Sequence, residues 1–190
     1  MAGGLRPVAA VGWRRGAGTS GERAVRRHFT CTGFVFDGGR TLFLWHRHLR
    51  MWVPPGGHLL PDEDPVTGVL REIEEETGLL AEVVPTAPVF PFAYPGQIQP
   101  PYTMLLENSA EPGEPHQHID FIYFCRPRAG ARLSPPPGTV LAWATEQDLR
   151  QDRPLELEGA CGLLVPVPPD VRALALEGFR LLSLKKEGRG

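Results

Sequence analysis

Three glutamates and an arginine in one predicted helix are the residues of this chain best suited to chemistry. Glu72, Glu75 and Glu76 are three and four positions apart, and Arg71 precedes them. Residues at this spacing are neighbours on a helix, so the carboxylates converge on one face. Like charges repel there, and a bound cation reverses that interaction. Because hard divalent ions such as Mg²⁺ bridge carboxylates to substrate phosphates, this face is a candidate metal site.

The helix that carries these acids has clear start and stop signals. Asp64 is a good N-cap, Pro65 suits the first helical position and Gly78 is a C-terminal stop. An apolar stripe at helical spacing predicts the core-facing side, formed by Val66, Val69, Leu70, Ile73 and Leu80. The acidic face therefore points away from the core.

A glycine loop precedes the helix. The run Pro54-Pro55-Gly56-Gly57 is unsuited to a helix or a central strand, because proline lacks the N–H and fixes φ. The two glycines permit positive φ and a close approach of the backbone to a ligand. We expect a strand, a glycine loop and a carboxylate-lined helix in that order.

Residues 57–79, GHLLPDEDPVTGVLREIEEETGL, resemble the signature of the Nudix (MutT-like) hydrolases, G-x5-E-x7-R-E-U-x-E-E-x-G-U with U aliphatic. Every fixed position matches without a gap, at Gly57, Glu63, Arg71, Glu72, Ile73, Glu75, Glu76, Gly78 and Leu79. A looser resemblance extends over about residues 28–150. A charge run alone is typical of a solvated helix face, and we assign that role to Glu74 at the variable position.

The resemblance implies an α/β fold, the Nudix α/β/α sandwich with a mixed β-sheet. It also implies that Glu72, Glu75 and Glu76, with the carbonyl of Gly57, bind Mg²⁺ or Mn²⁺. Arg71 then orients the acids through ion pairs, and Glu63 is an outer-shell or structural partner. Glu72 and Glu76 are both candidates for the general base.

Composition limits the class of protein. The chain of 190 residues is 42% apolar and 22% charged, which is ordinary for a soluble globular protein. The formal net charge of −2 argues against stable nucleic-acid binding. The longest apolar run is too short to span a bilayer. Three scattered cysteines, Cys31, Cys125 and Cys161, indicate buried or bystander thiols and a reducing, cytoplasmic location.

The charge distribution predicts two regions. Residues 1–27 carry six arginines against one acid, lack periodicity and are expected to be a flexible basic leader outside the fold. An Arg-rich transit peptide is a less favoured interpretation of the same residues. Residues 28–190 are expected to form a single Nudix domain that ends in a C-terminal helix.

Beyond the helix that carries the acids, the pattern predicts strands joined by turns. Asp37-Gly38-Gly39 is a hairpin signal between the first two strands. We predict strands at 29–36, 41–46, 80–84, 88–93, 102–107, 118–125 and 139–144. We predict helices at 146 to about 151 and 168 to about 185, the second with Val171, Leu174, Phe179 and Leu182 buried.

A second polar group lies at His116, His118 and Asp120, which share one face of a predicted strand. These side chains could line a substrate pocket, add a base, bind a metal or form a solvated strand end. A dedicated zinc site is disfavoured, because no Cys or further His lies at matching spacing. Arg47, near the glycine loop, could bind phosphate oxygens or be a surface charge.

The proline-rich stretch 85–101 is long for a connection, and long loops are often functional. Its aromatics, together with Tyr102, could stack on a base or sugar, although we favour their packing at the edge of the core. These residues are Phe90, Phe92, Tyr94 and Tyr102.

The resemblance implies a divalent-metal-dependent pyrophosphohydrolase. Its expected partner is a small molecule, a nucleoside diphosphate linked to another moiety. The alternative is a non-catalytic Nudix-fold domain that binds a nucleotide or regulates a partner. A homodimer is possible, since many relatives dimerise.

Overall fold

The computed structural model describes residues 25–109, 115–157 and 162–187, and no side chain beyond 183. The elements in chain order are β1 (Arg26–Asp37), β2 (Arg40–His46), β3 (Met51–Val53), β4 (Gly56–His58), α1 (Pro65–Thr77), β5 (Ala81–Val83), β6 (Thr103–Asn108), β7 (His116–Pro127), β8 (Leu141–Thr145), α2 (Glu146–Arg150), β9 (Leu155–Leu157), β10 (Leu163–Val165) and α3 (Pro169–Glu187). Residues 1–24 of the predicted leader, and Cys161, lie outside the described residues.

Eight of the described strands form one mixed sheet with a central order β3-β2-β1-β7-β5. Strand β4 extends beside β1, β6 beside β7, and β8 beside β2. Strands β1 and β7 are parallel, and the other described pairs are antiparallel. This mixture confirms the predicted sheet type.

The β1–β2 hairpin follows from its turn residues. Asp37 pairs with Arg40, and the two residues between them, Gly38 and Gly39, have φ of 57° and 83°. A two-residue hairpin turn with positive φ at both positions suits glycine, because other residues are strained there.

The alternating side chains of β1 assign the two faces of the sheet to different helices. Cys31 and Val35 pack with Val69 and Ile73 of α1 on one face. On the other face Phe36 contacts Phe179 of α3, with ring centroids 4.9 Å apart. Helices therefore cover both faces, which confirms the α/β/α sandwich.

Helix α1 has the predicted ends. The Asp64 side chain accepts hydrogen bonds from the backbone N–H groups of Val66 and Thr67, Pro65 opens the helix and Gly78 closes it at φ 67°. Val69 and Ile73 are fully buried. Leu80, which we assigned to the apolar stripe, is 47% exposed, because the chain leaves the helix at Gly78 before reaching it.

The structure corrects several other expectations. Residues 85–101, all described, contain no strand, so the strand predicted at 88–93 is wrong. The reason is that Pro88, Pro91 and Pro95 cannot donate to a ladder. Residues 56–58, expected as a loop, form β4, and strands β9 and β10 were not predicted. Strand β1 begins at Arg26, so the fold starts two residues inside the predicted leader.

The predicted α3 face is buried in part. Phe179 is buried, whereas Val171, Leu174 and Leu182 are only partly buried against the same core. Among the described residues no helix is both long and apolar enough to cross a membrane.

Candidate active site

Arg71 is the centre of the polar contacts on α1. Its Nε and Nη2 donate to the two carboxylate oxygens of Glu63 at 2.8 and 2.9 Å, a bidentate pair. Its Nη1 donates to Glu72 Oε1 at 2.8 Å and to Glu75 Oε2 at 2.9 Å. Its Nη2 also donates to the backbone carbonyl of His58 at 3.1 Å. One guanidinium therefore joins three acids of α1 and the loop before it to strand β4.

The three candidate metal ligands differ in the solvent exposure of their side chains. The side chain of Glu72 is 13% exposed, whereas that of Glu75 is 58% exposed. Glu76 is half-buried, and its Oε2 accepts a hydrogen bond from the backbone N–H of Gly56 at 3.0 Å. The contacts with Arg71 and Gly56 engage one oxygen of each glutamate and leave the second oxygen of each carboxylate outside these contacts.

The pKa of Glu76 reflects its burial and the two carboxylates near it. Burial first, and then the negative charges of Glu72 and Glu75, raise the pKa of Glu76 to about 7. The hydrogen bond from Gly56 opposes that rise without cancelling it. In the protein without a cation, the arrangement thus disfavours three simultaneous negative charges, as carboxylates grouped to share a divalent ion should.

Gly57 lies where a side chain would collide with an acid. A Cβ placed on Gly57 would be 2.5 Å from Glu72 Oε1, so a larger residue would displace that carboxylate. Gly56 and Gly57 lie in strand β4, and neither has a positive φ. Glycine is needed here because neighbouring atoms lie too close for a side chain, and not because of an unusual backbone torsion. The Gly57 carbonyl accepts a weak hydrogen bond from Cys31 Sγ at 3.7 Å.

The donor set fits the implied ion. The Glu72 carboxylate lies against Gly57, Glu76 accepts the N–H of the neighbouring Gly56, and Arg71 joins Glu75 to Glu72. Carboxylate and carbonyl oxygens suit Mg²⁺ and Mn²⁺ as ligands. The oxygen atoms of this site are therefore chemically suited to bind a divalent cation.

A cavity of about 350 Å³ lies on the α3 side of the sheet and shares Gly56 and Gly57 with the acidic site. Its walls combine apolar side chains with a few polar groups from the strands, which is typical of small-molecule sites. The polar wall includes Thr30, Thr32, His118 and Asp120. The three glutamates do not line this cavity, so β4 stands between it and the acids.

Of the three predicted substrate residues, the structure brings two to the cavity. His118 and Asp120 line it, and Asp120 is 5% exposed and accepts a hydrogen bond from Thr30 Oγ1 at 2.8 Å. Burial raises the pKa of Asp120. Arg47 is not part of the cavity wall, and its Nη2 donates to the carbonyl of Gly138 at 2.6 Å.

The loop aromatics divide into two groups. Phe90 and Phe92 are about half exposed and stack on each other with centroids 5.9 Å apart, and Tyr94 is 90% exposed. Tyr102 instead packs against Phe124 of the core. The favoured packing of the aromatics at the core edge is thus right for Tyr102 alone.

Two histidines that the sequence did not single out join the second polar group. His28 of β1 and His58 of β4 lie beside His116 and His118, and one ring nitrogen of each lies within 4.8 Å of the others. We disfavoured a metal site because no further histidine lies at matching sequence spacing. The structure supplies the further histidines from other strands, so that objection no longer holds. Sequence spacing does not reveal this pairing.

Comparison with known proteins identifies relatives. A family model described as the NUDIX domain matches residues 26–160. A MutT-like protein of Streptomyces ambofaciens is 26% identical over 117 residues, 62% of this chain and 62% of that protein. The m7GpppN-mRNA hydrolase NUDT17 of Bos taurus is 62% identical over 30 residues, 16% of this chain and 10% of that protein. The chain thus spans less than two thirds of either relative.

Solved structures agree on the fold. A NUDIX-family hydrolase from Clostridium perfringens has a TM-score of 0.66 at 24% identity, covering 83% of this chain and 99% of that one. A MutT protein from Methanosarcina mazei Go1 has a TM-score of 0.53 at 18% identity, and the match covers 85% of this chain and 99% of that one.

Proposed function

The chain belongs to the NUDIX family, and on that premise we propose that it is a divalent-metal-dependent pyrophosphohydrolase. The substrate we propose is a nucleoside diphosphate linked to another moiety, cleaved at its phosphoanhydride bond. The observation that carries the proposal is that Arg71 joins Glu72 to Glu75, while Glu72 and Glu76 contact Gly57 and Gly56 of strand β4. The same two glycines line the cavity on the other side of that strand.

The metal ligands we propose are Glu72, Glu75, Glu76 and the Gly57 carbonyl. Mg²⁺ or Mn²⁺ bound by them would supply charge neutralisation on the phosphates and a water that is readily deprotonated. Glu72 and Glu76 are the candidates for a general base, and both have one oxygen engaged by Arg71 or Gly56.

Arg71 has a positioning role in this proposal. Its contacts fix one oxygen of Glu72 and one of Glu75, and its bidentate pair with Glu63 holds the guanidinium in place. A planar, permanently charged guanidinium is suited to this because it can bind several carboxylates in fixed directions. Glu63 thereby acts on the site through Arg71.

The organic part of the substrate is proposed to occupy the cavity that begins at Gly56 and Gly57. Asp120 and His118 provide hydrogen-bonding groups on its wall, and the remaining wall is largely apolar. We also propose a cytoplasmic location, since Cys31 and Cys125 are buried free thiols, as is usual in a reducing compartment. A homodimer stays a prediction, which sedimentation of the purified chain would test.

A panel of phosphoanhydrides assayed with Mg²⁺ or Mn²⁺ tests the activity. We expect metal-dependent turnover of at least one nucleoside diphosphate derivative, detected as phosphate after treatment of the products with a phosphatase. Tight nucleotide binding without turnover in any metal would instead indicate the non-catalytic domain.

A further inference from the structure

Four histidines from three strands converge on the α3 side of the sheet, apart from the glutamates of α1. His28 lies on β1, His58 on β4, and His116 and His118 on β7, and all four are half-buried. Strand pairing accounts for the convergence, because His28 is the register partner of His118 and β4 pairs with β1 two residues further on, at Thr30. The cluster is therefore attached to backbone that the sheet fixes.

The spacing of the ring nitrogens approaches that of a tetrahedral metal site. With a metal–nitrogen distance of about 2.0–2.1 Å, the ligands of a tetrahedral ion lie about 3.3–3.4 Å from one another. His28 Nδ1 and His58 Nε2 are 3.4 Å apart, and the Nε2 atoms of His116 and His118 are 3.1 Å apart. Since the four chosen nitrogens all lie within 4.8 Å of one another, small ring rotations would complete the arrangement.

The donor atoms decide which ion the cluster suits. Among the described residues the group consists of imidazoles alone, and neutral imidazole binds Zn²⁺, Co²⁺, Ni²⁺ and Cu²⁺ in preference to Mg²⁺. The glutamates of α1 offer oxygen atoms only, and such ligands suit Mg²⁺ and Mn²⁺. The two groups therefore differ in the ion that each should select.

We propose that His28, His58, His116 and His118 form a second metal site, which binds one divalent transition-metal ion of the Zn²⁺ type. With four protein ligands the site is closed, which is typical of structural and not catalytic zinc. The proposal uses none of the residues of the acidic site, so metal binding by the histidines can be measured separately from hydrolase activity.

A metal in this cluster would fix β4 against β1 and β7. His58 directly follows Gly57, and the His58 carbonyl accepts a hydrogen bond from Arg71 Nη2 at 3.1 Å. His58 and His118 also lie on the cavity wall. The bound ion would therefore hold in place the strand that separates the cavity from the glutamates, and its expected effect is higher thermal stability.

The test uses the full chain, purified without a polyhistidine tag and stripped with a chelator. Co²⁺ is titrated in and its absorption is recorded, because four-coordinate cobalt absorbs far more strongly than the hydrated ion. We expect one equivalent to bind with an apparent Kd of about 1 μM or tighter. Zn²⁺ should displace it and raise Tm, whereas excess Mg²⁺ should not displace it.

Variants locate the ion. His28→Gln and His116→Gln, neither on the cavity wall, should each weaken Co²⁺ binding by about 10-fold or more. His48→Gln, outside the cluster, and the double variant E72Q/E76Q should keep it. Absence of Co²⁺ and Zn²⁺ binding by the wild-type chain overturns the proposal whether or not the variants fold. Binding that survives loss of the histidines, or disappears with the glutamates, overturns it as well.

Discussion

Replacing Glu76 by glutamine should separate the chemistry of the acidic site from the stability of the fold. The amide keeps the shape of the side chain and an oxygen that can accept the Gly56 N–H, but it removes the charge. Because burial and two neighbouring carboxylates disfavour that charge, its removal should not harm the metal-free fold.

The size of the effect follows from the pKa. In the folded protein without metal the pKa of Glu76 rises from 4.5 to about 7, which corresponds to about 3 kcal/mol against the charged form. The folded state therefore binds the proton more tightly than the unfolded chain, and wild-type stability falls as the pH rises through this range. E76Q has no proton to lose at this position, so its stability does not fall in this way. Its free energy of unfolding should exceed that of wild type by about 3 kcal/mol near pH 8, and by less than about 1 kcal/mol near pH 5.

Urea unfolding with a chelator present measures this difference, and initial rates with Mg²⁺ measure the activity. Turnover should fall by more than about 100-fold, since loss of even an outer partner of a metal commonly costs 10- to 100-fold. Glu74→Gln is the matched control, because Glu74 is an exposed residue of the same helix. A variant that is less stable than wild type near pH 8, or that keeps activity within about tenfold, would refute the reasoning.

Substitutions at three further positions test the residues that support the site and the fold. Gly57→Ala should fold but lose most of its activity, because its Cβ displaces the Glu72 carboxylate; normal rates at unchanged Tm would contradict this. Arg71→Ala should lower the free energy of unfolding by about 1–3 kcal/mol, since it leaves Glu63, 7% exposed, without its bidentate partner, and Arg71→Lys should restore little of it. Thr145→Ala removes the capping-box hydroxyl of α2 and should cost about 1 kcal/mol in urea unfolding with activity unchanged; a drop in activity would show that the site depends on α2.

The acidic site could be predicted from the sequence because its information is local. Asp64, Pro65 and Gly78 set the ends of α1, and helical periodicity places the three glutamates on one face. The contact of Arg71 with Glu75 joins residues four apart and follows from the same periodicity, whereas its contact with the adjacent Glu72 does not.

The histidine cluster could not be predicted, since it depends on the parallel pairing of two strands distant in sequence. His28 and His118 become neighbours only when β1 and β7 align in one register among several that their similar apolar patterns allow. The strand expected at 88–93 failed for a different reason. Val89, Phe90 and Phe92 have the side chains of a strand, but Pro88 before them and Pro91 among them lack backbone donors.

Manganese anomalous diffraction from crystals soaked in Mn²⁺ would show whether the acidic site binds a metal. We expect a manganese peak bounded by carboxylate oxygens of Glu72, Glu75 and Glu76 and by the Gly57 carbonyl. Soaked crystals without a peak there, in which Glu72 and Glu75 are still bound to Arg71, would rule out the proposed metal site.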